Sequence, residues 1–371
     1  MTDFTVDVAG LAGFRLDLQD VGTNSSSNAT RLLSALTLPV GSSGLIATVG
    51  QSLEKFKSAY SAVQRSDLTT IETLGADLST AATSYRATDD TNATAMNAIG
   101  GSGTSSSLGA EHGVSRFTGL QQPNLPDVQE VSFTVRQMVT SAIELISVYD
   151  DRMNEAVGIK PAADVLAPLV ADWEALQAVG RRIALLGIND YVTSENLIGG
   201  TRWLQSKWSG DASQTFGTSA NSLGQSVAGR SLDLEAVSKI VENGGACLER
   251  LVYNQAAGLT DGILQPMTVL GATFPLGGWA PYAGKTVSAA AQADIRAAVE
   301  ALKKGMESRQ TAIRTVVDRV VQALDYTPGR TVPTFQANDF EIPDKVVVDL
   351  GDRKFGFGDN IWWSDNIASA V

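Results

Sequence analysis

Residues 49–85 read VGQSLEKFKSAYSAVQRSDLTTIETLGADLSTAATSY. Val49, Leu53, Phe56, Tyr60 and Val63 recur every three or four positions; after Asp67, Ile71, Leu74, Leu78, Ala81 and Tyr85 resume the series. A spacing of about 3.5 residues puts these side chains on one stripe, the seam of a long helix lying along a partner. Upstream, Leu11, Phe14, Leu18, Val21, Asn28, Leu32 and Ala35 form a similar series, with Ser25 in its polar gap. Between the two lies Leu38-Pro39-Val40-Gly41-Ser42-Ser43-Gly44, made of residues that stop a helix and reverse a chain. The pattern predicts helices over 4–38 and 45–98, folded back as an antiparallel hairpin.

Beyond it the composition changes. Residues 100–109 read GGSGTSSSLG, and Pro123 and Pro126 follow, which marks 99–126 as a flexible linker. Helical spacing returns in Val128, Val131, Val135, Met138, Ala142, Leu145 and Tyr149, predicting a helix over 128–156. Leu166, Leu169, Trp173, Leu176 and Ile183 predict another, starting near Pro161. The stretch 197–208 carries a helical pattern weakened by Gly199-Gly200. Past Gly210 come Phe216, Ala220, Leu223, Val227, Leu234, Val237, Val241 and Leu248; the last long series is Ile295, Val299, Leu302, Met306, Ile313, Val316 and Val320. From Pro328 onward the material is β-branched and aromatic, with Val346, Val347, Val348, Phe355, Phe357, Trp362 and Trp363 set among Gly and Asp. It reads as a hairpin or as chain extended along the helices.

The expectation is therefore an all-α fold, an elongated bundle of long antiparallel helical hairpins with a short irregular or β-like C-terminal tail. Its predicted parts are a hairpin over 1–98, a linker over 99–126, a second helical domain over 127–327 and an extended tail over 328–371. Such bundles pack at shallow angles and offer few deep clefts, which leans away from an enzyme.

The scarce residues narrow the chemistry further. Of 371 residues, 43% are hydrophobic and 18% charged, enough apolar material for a core. The formal charge of −12 argues against nucleic-acid partners. Cys247 is the one cysteine and His112 the one histidine, so thiolate clusters, multi-His metal sites and an internal disulfide are excluded. No cofactor and no metal site is expected. Asp150-Asp151 and Asp89-Asp90 read as solvated acids, and Gly199-Gly200 and Gly244-Gly245 follow no strand and so are not phosphate loops. The N-terminal MTDFTVDVAG lacks the features of a Sec signal peptide.

Two short motifs stand out. Trp208-Ser209-Gly210 sits where one helical pattern stops and the next starts. Glycine permits the turn and the indole covers it, so Trp208 is expected to be partly exposed, with Asp211 and Ser213 capping the next helix. Tyr85 and Asp89 lie four residues apart near the end of the second helix, an aromatic ring and a carboxylate on one face.

A helical hairpin, a Trp-x-Gly turn and a Tyr-x-x-x-Asp closing a helix together resemble proteins exported by the ESX, or type VII, secretion systems of actinobacteria. Leu74 to Met96 resembles the EspC-like secretion-associated domain and the matching stretch of EspB; Val165 to Phe216 is similar to the WXG-type domain of secreted, sometimes virulence-associated, proteins. The resemblance implies a PE/PPE-like or WXG-like bundle. It also implies a non-enzymatic export substrate whose secretion signal comprises Tyr85, Asp89, Trp208 and Gly210. Recognition by a type VII secretion ATPase, a cytosolic chaperone, homo-oligomerisation and a secreted or cell-envelope location go with it. In EspB and in PE/PPE pairs the two motifs sit together at one tip; here they are far apart in sequence, with a further predicted helix between them.

Two other features bear on function. The stripes over 128–149 and 295–320 are wide and apolar, and if left uncovered in a single copy they would favour self-association, above all in mild acid. Gly262 to Gly284 runs 23 residues without a charge and holds Leu270, Phe274 and Trp279, candidates for membrane contact. That segment reads either as a re-entrant membrane segment or as a Pro-broken connection covering the bundle. The alternative functions are accordingly a membrane-active, pore-associated protein and a trafficking module for a toxin encoded separately.

Overall fold

The first two series fold as α1 (Val8–Ser34) and α2 (Ile46–Ile99), 27 and 54 residues long. At a rise of 1.5 Å per residue, α2 runs for about 80 Å. Asp7 starts α1 as its N-cap, its carboxylate accepting the Gly10 N–H at 3.0 Å. A computed structural model describes residues 5–41, 43–99, 114–130, 132–285 and 287–347, with the side chains of 92–99 outside that description. His112, the 100–109 run and the aromatic tail residues from Val348 onward lie outside the described residues.

The rest of the chain continues as α3 (Val135–Ile146), α4 (Asp150–Val157), α5 (Ala175–Gln205) and α6 (Asp211–Leu264). A two-stranded antiparallel hairpin follows, β1 (Pro266–Val269) and β2 (Ala272–Pro275), then the single turn α7 (Leu276–Trp279) and α8 (Ala289–Leu324). α1 packs on α2 and α5, α5 and α6 form the second long hairpin, and α8 lies on α6 and α2. The fold is all-α, with one minor sheet.

Among the described residues a small apolar core lies beneath the β1–β2 hairpin and two large ones fill the bundle. One joins Leu11, Phe14 and Leu18 of α1, Leu74 and Leu78 of α2, Leu197 and Leu204 of α5 and Phe216 and Val227 of α6. The other joins Leu53, Phe56 and Tyr60 of α2 to α3, α5, α6 and α8. Both cross the predicted boundary between 1–98 and 127–327, so these regions are not independent units. Nor is the end of the predicted linker free. Ser115 donates its N–H to Ala9 O, Arg116 pairs with Asp17 at 2.6 Å and with Asp20, and Gln121 and Asn196 exchange two hydrogen bonds.

Other boundaries move as well. Residues 128–134 are not helical, and the helix predicted over 128–156 breaks at Ser147–Tyr149 into α3 and α4. Residues 161–169 form irregular helical turns, and α5 starts only at Ala175. Conversely, α5 runs unbroken through Gly199-Gly200. A Cβ on Gly200 would lie 2.2 Å from the Phe14 ring, and one on Gly199 would lie 3.4 Å from Phe117. Close packing of α1 and the 114–117 segment outweighs the helix cost of glycine, about 1 kcal/mol each.

The two apolar stripes are mostly covered within the chain, with Leu145 still 40% exposed. Val135, Met138, Val139, Ala142 and Ile146 enter the larger core, and so do Met306, Ile313, Val316 and Val320. The described part of the tail lies extended along α6, where Asn254 donates to Asp344 O and accepts from Val346 N, both at 2.8 Å.

One feature of the core was unread in the sequence. Arg230 of α6, 3% exposed in its side chain, lies 2.7 Å from Asp67 of α2 and 2.7 Å from Asp190 of α5. The Tyr60 hydroxyl donates to Asp190 at 2.9 Å and the Gln64 amide at 3.1 Å. Asp67, which interrupts the stripe in sequence, takes part in joining three helices through one guanidinium.

Candidate functional site

The turn between α5 and α6 brings the two short motifs together. Helix α5 ends at Gln205, and the chain turns through Trp208, Ser209 and Gly210 before α6 begins. Gly210 has φ +104°, a conformation that L side chains rarely adopt, so glycine is required at this position. The Trp208 carbonyl accepts from the Ser213 hydroxyl at 2.7 Å, and Gln214 N–H returns to Gly210 O. Ser213 thus closes the turn through a carbonyl instead of capping α6, and Gly210, the N-cap position, provides no side chain; Asp211 in the first turn complements the helix dipole.

Across the sequence, the Trp208 indole N–H donates to the Tyr85 hydroxyl at 3.3 Å, spanning 123 positions. The indole ring lies 5.9 Å from the Phe216 ring. Trp208 is 4% exposed, which corrects the expectation of partial exposure. The cause is the N-terminal segment. Val6 pairs with Trp208 as an antiparallel bridge, Asp7 N–H donates to Lys207 O at 2.9 Å, and Ser209 N–H donates to Thr5 O at 2.9 Å. The Lys207 ammonium closes the arrangement 2.9 Å from the Asp7 carboxylate and 5.0 Å from the Trp203 ring. Burial pushes the Asp7 carboxyl up, but Lys207 and the Gly10 and Ala9 N–H groups outweigh it and hold it below the ordinary range.

At this end Tyr85 is half-buried, and Gly210 and Asp89 are exposed. Asp89 lies one turn beyond Tyr85 on the outer length of α2. The arrangement presents a phenol and a carboxylate one turn apart on α2, beside the α5–α6 turn. The strand-like cover by residues 5–7 had no signal in the sequence, because three residues are too short for a readable pattern.

The opposite region holds the other predicted site. Residues 262–284 are not a featureless connection: they contain the β1–β2 hairpin and α7. Leu270 and Phe274 are 71% and 55% exposed. Trp279 is 8% exposed and donates its indole N–H to Met267 O at 2.8 Å, so it is an internal anchor and not a membrane-contact residue. Leu270 carries φ +52° in the two-residue turn with Gly271, the one non-glycine residue with positive φ among those described. Such turns favour Asn-Gly, and leucine there is strained by about 1–2 kcal/mol.

The remaining chemistry-bearing residues have structural partners. Asp150 accepts the N–H groups of Ala162 and Ala163 at 2.8 and 3.0 Å, a different role from a solvated acid. Cys247 is buried, and burial pushes its thiol up to about 11. Glu174 accepts the Thr134 and Val135 N–H groups at 2.8 Å each, capping α3 from a distance. Among the described residues no cluster of three or more His, Cys, Asp or Glu is placed to hold a metal ion, and no helix is long and apolar enough to cross a membrane. Compared with known protein families, curated proteins and solved structures, the chain matches none.

Proposed function

We propose that this chain is a non-enzymatic substrate of a type VII (ESX) secretion system, acting at the cell envelope or outside the cell as a structural or interaction protein. The observation that supports the reading is the contact between Trp208 and Tyr85, which brings the Trp-x-Gly turn against the stretch of α2 that carries Tyr-x-x-x-Asp. A composite signal requires that meeting, and the sequence alone left it open. In this reading Trp208 and Gly210 position the turn from within. Tyr85 and Asp89 are what a secretion ATPase contacts, together with any cytosolic chaperone that delivers the chain. The homo-oligomer is part of the proposal on the resemblance alone, since the stripes that motivated it are mostly covered inside the chain.

The test is export from cells carrying the secretion system. Asp89→Ala alters an exposed residue and should leave far-UV circular dichroism unchanged while the protein accumulates inside. Tyr85→Phe keeps the ring and removes the hydroxyl that Trp208 meets; Tyr85→Ala removes both. Normal secretion of Asp89→Ala and Tyr85→Ala would overturn the export reading.

A further inference from the structure

We propose that the β1–β2 hairpin is a shallow membrane-contact site, in which Leu270, Phe274 and Tyr282 enter the interface of a lipid bilayer while the helices stay in water. It goes beyond the export reading and stands or falls independently of it.

Two aromatic rings pack on one buried indole, and Leu270 occupies the turn of the same hairpin. Trp279 lies 5.4 Å from the Phe274 ring and 5.7 Å from the Tyr282 ring, both edge-on, and it is fixed by its bond to Met267 O. Leu270, Phe274 and Tyr282 are 71%, 55% and 42% exposed. Val269, Leu276 and Ile295 hold the assembly to the bundle from below. The exposed rings are therefore carried on a rigid base and do not collapse onto the helices.

The chemistry fits lipid. The whole run from Gly262 to Gly284 is uncharged. The hydroxyls of Thr268 and Thr273 bond to each other at 2.8 Å, and the indole N–H is satisfied internally, so few polar groups lose partners when the patch leaves water. Leu270 occupies a left-handed turn position where Asn or Gly would fold more easily, and its side chain is spent on solvent. A bilayer interface takes up such a side chain and offsets the strain.

The size of the patch argues against a protein partner or a second copy. Three partly exposed side chains offer on the order of 300 Å² of apolar surface. A stable protein interface buries about 800 Å² on each side. A convex tip of this size suits a deformable surface. Of the nearby cations, Lys285 pairs with Glu155 at 3.0 Å and lies 5.9 Å from the Tyr282 ring, and Arg296 donates to Ala283 O at 3.1 Å, so the contact is assigned to the apolar side chains and not to anionic lipid.

Vesicle flotation tests it with the whole chain. The protein should float with phosphatidylcholine vesicles, and added phosphatidylglycerol or high salt should change binding little. Leu270→Asn suits the left-handed turn, so it should keep or raise the melting temperature while lowering vesicle partitioning about tenfold. Phe274→Ser should lower partitioning to a similar degree. Four results would each overturn the proposal. These are no flotation on phosphatidylcholine, binding only to phosphatidylglycerol that salt abolishes, wild-type flotation by Leu270→Asn, and a soluble oligomer that Leu270→Asn converts to monomer without any vesicle binding.

Discussion

Trp208 and Trp279 are both buried indoles with a satisfied N–H, yet they belong to different kinds of structure. Trp208 donates across 123 positions to Tyr85 and sits in a core that α1, α2, α5 and α6 all enter. Trp279 donates across 12 positions to Met267, and the two rings against it remain partly in solvent. One ring joins elements that the sequence keeps far apart; the other stiffens a single local unit at the bundle's edge. Neither burial follows from the flanking sequence. Each depends on what lies over the ring: residues 5–7 in one case, and the hairpin's own strands in the other.

That difference predicts unequal costs. Trp208→Ala should lose about 4 kcal/mol, within the range of a fully buried large side chain. Trp279→Ala should lose less, about 2 kcal/mol, because its neighbours can close over the gap from solvent. Denaturant unfolding of the two variants measures both. Equal losses would mean that the hairpin is as integral to the core as the α5–α6 turn. Trp208→Phe separates packing from polarity, with about 1 kcal/mol for the lost hydrogen bond.

Between the two regions, inside the bundle, Arg230 lies between Asp67 and Asp190. Arg230→Ala leaves two buried carboxylates without their cation and should cost about 3 kcal/mol. Burial already pushes both carboxyls up, with Arg230 opposing it, so part of that loss should be recovered in acid as they protonate. The variant should also unfold in one transition. Two transitions would show that α1–α2 and α5–α6 separate once this cluster is broken.

How much of this was legible varies with the physics behind each feature. The seams Leu11–Leu32 and Val49–Tyr85 were readable because burial repeats along a single helix. Arg230, Asp67 and Asp190 were not, since a charged residue at a helical position looks the same whether it faces water or a distant partner. Gly199-Gly200 misled because propensity is a local quantity, while the Phe14 ring that requires glycine at position 200 lies on another helix. Tyr85, Asp89, Trp208 and Gly210 were legible as two separate motifs, and the structure brings Trp208 against Tyr85. Their meeting depends on the path of the chain between them, for which no local pattern exists.

A smaller effect concerns pH. Glu249, buried on α6, has its carboxyl pushed up to about 7 by burial and by the nearby Glu174 carboxylate; the Gln177 amide at 2.8 Å and Arg250 oppose the shift. In the unfolded chain the ordinary value is 4.5. The folded state therefore binds the proton more tightly, and stability rises as pH falls from about 7 towards 4.5. The gain should be about 2 kcal/mol after allowance for solvent relaxation. Glu249→Gln should supply most of it at pH 8 and flatten the profile. An unchanged slope in that variant would assign the pH dependence to Glu174, Asp172, Asp67 or Asp190, whose carboxyls burial also raises.

The smallest effect returns to the hairpin end. Leu270 is held at φ +52° with its side chain mostly in water, so in the isolated protein it contributes strain and little packing. Asparagine adopts that conformation readily and favours the first position of this turn. Leu270→Asn should therefore stabilise the chain by about 0.5–1 kcal/mol, read as a higher denaturant midpoint with an unchanged slope. At the α5–α6 turn, Gly210 has positive φ as well, but there the native residue already suits the backbone, and Gly210→Ala should destabilise by about 1–3 kcal/mol. Opposite signs at two left-handed positions would show that one turn is optimised for folding and the other is not. A loss of stability in Leu270→Asn would mean that the leucine side chain packs in the free protein, which would remove the reason for assigning it an external contact.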